Sequence, residues 1–174
     1  MQFKICFAAW QQQRALKDRT EELPSDAGME LIRLVSLLFG LLMDIRNCEA
    51  QLLILSHQER TSVPEYLSNP VSGVTFEYNF ITEIRKLDFN DKYPLLKALI
   101  FFSNNISSVE RGCFAGTVLE YISFDWNFLD CFPDFREVNE TLKEISIINN
   151  KISVLKPEDV RDLRSLKRLL LYDN

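Results

Sequence analysis

From residue 71 onward the apolar residues fall in a fixed register that recurs every 23 to 25 residues. The aligned stretches are VSGVTFEYNFI from Val71, LKALIFFSNNI from Leu96, LEYISFDWNFL from Leu119, LKEISIINNKI from Leu142 and LKRLLLYDN from Leu166. Position one holds Val71, Leu96, Leu119, Leu142 and Leu166. Position four holds Val74, Leu99, Ile122, Ile145 and Leu169, and position six holds Phe76, Phe101, Phe124, Ile147 and Leu171. Position nine is asparagine in every copy: Asn79, Asn104, Asn127, Asn150 and Asn174. Apolar residues return at position eleven (Ile81, Ile106, Leu129, Ile152) and position fourteen (Ile84, Val109, Phe132, Leu155). Apolar matches come easily in a chain that is 47% hydrophobic, so the asparagine column carries the assignment.

Positions four and six lie on one face of a short strand, because strand side chains alternate. Such a strand is unstable alone, but stacking the copies in parallel buries a continuous apolar column. After the strand the chain must turn inward. Asparagine carries two donors and an acceptor, so one side chain can satisfy several backbone groups at that buried turn. An aspartate would bring a charge there, and a leucine would leave those groups unpaired.

The register resembles the leucine-rich repeat, LxxLxLxxNxL, in its extracellular-type length class. The resemblance covers about residues 60 to 174. It implies an α/β solenoid, a horseshoe with a parallel sheet on its concave face and short helical or irregular arms outside. About four and a half copies span residues 71–174. Position nineteen, on the convex side, reads Phe89, Phe114 and Val160, but Glu137 in the third copy. Phe135 or Val138 is expected to fill that gap. The stretch TSVPEYLSNP resembles the lead-in to a first repeat, so residues 51–70 are expected to cap the solenoid. The cysteine cluster common in that cap is absent. The chain stops nine residues into the fifth copy, and a bare last strand is an aggregation-prone edge. It therefore reads as a fragment of a longer protein.

The N-terminal third has a different pattern. Residues 1–28 form an N-terminal extension, expected to be helical and then polar, that breaks at Pro24, Ser25, Asp26 and Gly28. Residues 29–50 run from Arg33 through the apolar stretch Leu34 to Met43 and on to Cys48-Glu49-Ala50. This is the layout of a secretory signal, with Met29 as the start and cleavage after Ala50. The other reading is an amphipathic helix packed on the domain. The apolar run is about half of the roughly 20 residues a spanning helix needs. No permanent membrane span is expected.

The charge balance changes the picture only by exclusion. Net charge is −5 over 174 residues with a pI near 5.0, so nucleic acid is not an expected partner. A single histidine, His57, excludes triad and multi-histidine metal chemistry, and it reads as a solvated loop residue. There is no CxxC pair and no other metal-ligand spacing. No catalytic residue, metal or cofactor is expected, and the chain does not read as an enzyme. Cys113 and Cys131 sit at different positions of adjacent copies. They read as unbridged, buried or half-buried thiols, since a disulfide needs a close approach that the register does not promise. Asn105-Ile106-Ser107 and Asn139-Glu140-Thr141 fit the glycosylation acceptor pattern.

Function in the resembled family implies a protein ligand held on the concave face. The residues there are Glu77, Phe102, Asp125, Ile148 and Tyr172 at position seven, Tyr78 and Trp126 at position eight, and Ile100 at position five. Aromatic side chains with charged neighbours are what protein interfaces use. A scatter of surface hydrophobes with no ligand is the plainer reading. The leading expectation is a protein-recognition module on the extracellular side, secreted or at the cell surface. The alternatives are a cytoplasmic adaptor, or the recognition part of a larger receptor or enzyme.

Overall fold

A computed structural model of the protein describes residues 51–68 and 70–174. The expected N-terminal extension and signal-like segment, with Cys6 and Cys48, lie outside the described residues. The elements are β1 (Gln51–Ile54), β2 (Val71–Thr75), β3 (Glu83–Ile84), α1 (Lys86–Phe89), β4 (Ala98–Ile100), β5 (Ser108–Val109), β6 (Tyr121–Ser123), a 3-10 turn (Arg136–Val138), β7 (Glu144–Ser146), α2 (Pro157–Val160) and β8 (Arg168–Leu170). Six strands form one parallel sheet in the order β1-β2-β4-β6-β7-β8, and β3 pairs with β5 in a second. The large sheet keeps the repeat register. Leu53, Val74, Leu99, Ile122, Ile145 and Leu169, the position-four residues, are successive Cα partners across it.

The core is a set of stacked columns. Phe76, Phe101 and Phe124 at position six lie one on another, with centroids 5.2 Å apart and planes within 6°. A second aromatic column lies toward the arms. Phe89 meets Phe114 at 6.3 Å, and Phe114 stacks on Phe135 at 5.8 Å. Phe135 and Val138 are both buried, so together they replace the missing position-nineteen residue of the third copy. The arms are irregular because the copies do not all close their turns in the same way. In α1 Asp88 accepts from the Arg85 N–H at 2.8 Å, and in α2 Asp159 accepts from the Lys156 N–H at 2.8 Å. The second copy uses Gly112 and Gly116 in left-handed conformations instead.

Every asparagine of position nine acts on the coil before its own. Asn127 donates to the Phe101 carbonyl at 2.8 Å and accepts from the Ile106 N–H at 2.9 Å, both in the preceding coil. It also donates to the Phe124 carbonyl of its own turn at 3.0 Å. Asn104, Asn150 and Asn174 repeat these links to Phe76 and Ile81, Phe124 and Leu129, and Ile147 and Ile152. Asn79, Asn104 and Asn127, all buried, thus close the backbone accounting of turns shielded from water.

Residues 51–70 differ from the expected cap. Gln51–Ile54 is a strand of the main sheet, and Leu53 and Leu55 pack on the core as position-four and position-six residues. The described solenoid therefore starts one coil before Val71. The pattern hides this coil because Gln58 stands where the asparagine belongs. Asn79 completes this coil as the other ladder asparagines complete theirs, donating to the Leu55 carbonyl at 2.8 Å and accepting from the Arg60 N–H at 3.0 Å, and its Oδ1 also accepts from the Gln58 N–H at 3.0 Å. Replacing Asn127 by leucine strands the Phe101 carbonyl and the Ile106 N–H in a dry interior. Urea unfolding should then show a loss of about 1–3 kcal/mol. Asn174→Leu should cost less, because the Asn174 side chain is exposed.

Candidate functional site: the sheet face and its rim

The sheet face is formed by positions two, three, five, seven and eight, and it is drier than strand alternation suggests. Of the candidate partner-binding residues, Trp126 (52% exposed) and Tyr172 (56% exposed) stand out into solvent. Tyr78 and Ile100 are half-buried. Glu77, Phe102, Asp125 and Ile148 are buried, which corrects the expectation that position seven faces solvent. Asp125 shows a physical reason. Its Oδ1 accepts from the Ser146 hydroxyl at 2.6 Å and from the Ile148 N–H at 2.8 Å. The carboxylate ties its coil to the next one, as the ladder asparagines do. Phe102 meets Tyr78 edge-on at 5.4 Å.

Position eight has a property the pattern alone did not disclose. His57, Tyr78, Ser103, Trp126, Asn149 and Asp173 all have φ between 55° and 59°. A left-handed residue reverses the chain just before the ladder asparagine, and it does so in every described coil. Histidine, asparagine, aspartate and serine tolerate this conformation best among residues with a Cβ, whereas tyrosine and tryptophan are held there against preference. His57 is not a solvated loop residue. It is half-buried and stacks on Tyr78, with centroids 4.5 Å apart and planes 15° apart.

Along positions two and three, basic side chains bracket two glutamates. Glu120 lies between Lys97 (3.6 Å) and Lys143 (2.5 Å), and Glu144 meets Arg168 at 3.2 Å. Burial opposes ionisation of Glu120, yet the hydrogen bond and charge of Lys143, helped by Lys97, hold its carboxyl below the ordinary range. Burial wins at Glu144, whose carboxyl is pushed up despite Arg168. On the arm side, the Arg136 hydrogen bond holds the Asp134 carboxyl low, with Arg111 at 2.9 Å adding to it. The remaining chemistry is sparse. Cys113 is buried and Cys131 exposed, both are free thiols, and burial raises both thiol pKa values. Among the described residues, no group of three histidine, cysteine, aspartate or glutamate side chains is placed to hold a metal, and no helix is long and apolar enough to cross a membrane. Of the two acceptor asparagines, Asn105 is exposed and Asn139 half-buried.

Parallel short strands in register, an asparagine closing each turn and arms of irregular structure decide the class. The chain is a leucine-rich-repeat solenoid. Two curated leucine-rich-repeat proteoglycans are similar to it. Podocan of Mus musculus is 27% identical over 125 residues, which are 70% of this chain and 20% of podocan. Biglycan of Sus scrofa is 30% identical over 130 residues, which are 74% of this chain and 47% of biglycan. The chain thus spans less than half the length of either relative. No family model matches it.

The carboxylates of this leucine-rich-repeat face set part of its acid stability. A lowered folded pKa contributes stability above the unfolded value, near 4.3 for glutamate, and loses it as pH falls through the folded value. Glu120→Gln should therefore flatten the decline in unfolding free energy between about pH 5 and 3, by under about 1 kcal/mol for so accessible a pair. Glu144→Gln should not, because a raised carboxyl acts with the opposite sign. Urea melts across that pH range check both.

Proposed function

We propose that the chain is an extracellular protein-recognition module that holds a partner protein on its sheet face through Trp126 and Tyr172. The single observation that carries this reading is their placement. Both are large aromatics more than half exposed, on adjoining positions seven and eight of a face whose other aromatics are covered. Trp126 is also fixed in a left-handed turn, and its N–H donates to the Ile148 carbonyl at 2.8 Å. An aromatic held by its own backbone loses little freedom on binding, which favours it as an anchor. Tyr78, Ile100 and the buried Glu77, Phe102, Asp125 and Ile148 then support the anchors rather than meet the partner first. The extracellular part of the reading is supported by the secreted matrix relatives and by the signal-like layout of residues 29–50.

A second reading, a cytoplasmic adaptor, has one observation in its favour. Cys113 and Cys131 are both unbridged, and Cys131 is exposed, which suits a reducing compartment.

The test is differential retention. Wild-type chain and the Trp126→Ala/Tyr172→Ala variant are immobilised and exposed to conditioned medium, matrix extract and cytosol, with bound proteins quantified by mass spectrometry. The expected result is a protein of medium or matrix retained by the wild type and lost by about 30-fold or more in the variant. Unchanged melting temperatures would confirm that only the surface was altered. Retention confined to cytosolic proteins would favour the adaptor, and equal retention by both chains would remove the anchors from the account.

A further inference from the structure

Position ten follows each ladder asparagine and forms a column of its own. Its residues are Phe80, Asn105, Phe128 and Lys151. Each donates its N–H to the position-eleven carbonyl of the coil before: Phe80 to Arg60 at 2.7 Å, Asn105 to Ile81 at 2.9 Å, Phe128 to Ile106 at 2.8 Å and Lys151 to Leu129 at 2.8 Å. These bonds stack the four residues coil on coil. Asn105 is therefore flanked by a phenylalanine on either side. Phe80 is 53% exposed and Phe128 46%, although a solvent-facing column has no need of such rings. Lys151 lies over the Phe128 ring, 4.7 Å from its centroid. The Asn105 side chain is exposed, and Ser107, which completes the acceptor triplet, is exposed as well.

We infer that Asn105 carries an N-linked glycan whose first sugar packs on the flanking Phe80 and Phe128 rings. The transfer joins the Asn105 amide nitrogen to the anomeric carbon of the first N-acetylhexosamine. The sugar–pyrophosphate bond of a lipid-linked oligosaccharide donor breaks, and the amide proton leaves with the pyrophosphate. A pyranose ring presents a face of C–H groups, and an aromatic ring is the surface that desolvates such a face best. Asn139 offers no comparable setting. It is half-buried in the turn after Arg136–Val138, and its carbonyl accepts from the Ser165 N–H at 3.2 Å. The inference rests on the extracellular reading, since the donor is found only in the secretory lumen.

The full chain is expressed in mammalian cells with its own N-terminus and, separately, behind a heterologous secretion leader. Intact mass and peptide mapping then report occupancy at Asn105. With its own N-terminus the chain is expected in the medium and glycosylated there; retention in the cytosol overturns the extracellular reading. The leader arm tests the site regardless of that outcome, and an unoccupied Asn105 in it overturns the inference alone. Packing is read by trimming the glycan to its first sugar and comparing thermal melts with the Ser107→Ala chain, which lacks the site. The single sugar is expected to raise the melting temperature by about 3 °C. In the Phe80→Ala/Phe128→Ala background that gain should vanish. An equal gain in both backgrounds overturns the packing.

Discussion

The asparagine ladder is the interaction on which the other features depend. A left-handed residue at position eight turns the chain inward and leaves the position-six carbonyl and the position-eleven N–H of the coil before facing a dry interface. The asparagine of the following coil meets both, as Asn127 does for Phe101 and Ile106. The net gain of any one such bond is about 1 kcal/mol, but an unmet pair of buried groups costs more than that gain. Coils are therefore completed by their successors, and the spacing between them is set by polar geometry. The stack of Phe76, Phe101 and Phe124 at a constant 5.2 Å is a consequence of that spacing.

The same turn decides what the surface can offer. Position seven is drawn down against the neighbouring coil, where Asp125 spends its carboxylate on Ser146 and Ile148. Position eight is held in the left-handed turn, where Trp126 and Asp173 are exposed and the rest of the column is half-buried. Position ten, on the far side of the asparagine, is set in an open column by a regular series of N–H bonds. The two columns that border the ladder thus have different chemistry. One carries the exposed Trp126, and the other an acceptor asparagine with a phenylalanine at the same position of the coil on either side. Both rigidities have a common origin in the asparagine between them.

Electrostatics plays a smaller part. At positions two and three Lys97, Lys143, Lys167 and Arg168 outnumber Glu120 and Glu144, and both glutamates are held in ion pairs. Under the proposed reading, recognition on this face draws on shape and aromatic contact. That is the kind of contact the proposed protein partner would use on a leucine-rich-repeat chain similar to podocan and biglycan.

How much of this was legible in the sequence depends on the range over which each feature is determined. The repeat register, the parallel sheet, the buried position-four and position-six columns and the asparagine ladder were all readable, because each follows from local alternation and from a residue type with a specific hydrogen-bonding capacity. The coil at residues 51–58 was not, because Gln58 breaks the one demanding column. Nor was the burial of Glu77, Phe102, Asp125 and Ile148 legible, since strand alternation predicts an outward face and says nothing of a side chain bent onto the next coil. His57 shows the same limit, its partner Tyr78 lying one coil later. By itself the sequence determined the class of fold and the turn that repeats in it, because those depend on residues a few positions apart. Which side chains of the face remain open to a partner was decided only by tertiary structure, because exposure here is set by contacts between coils some two dozen residues apart.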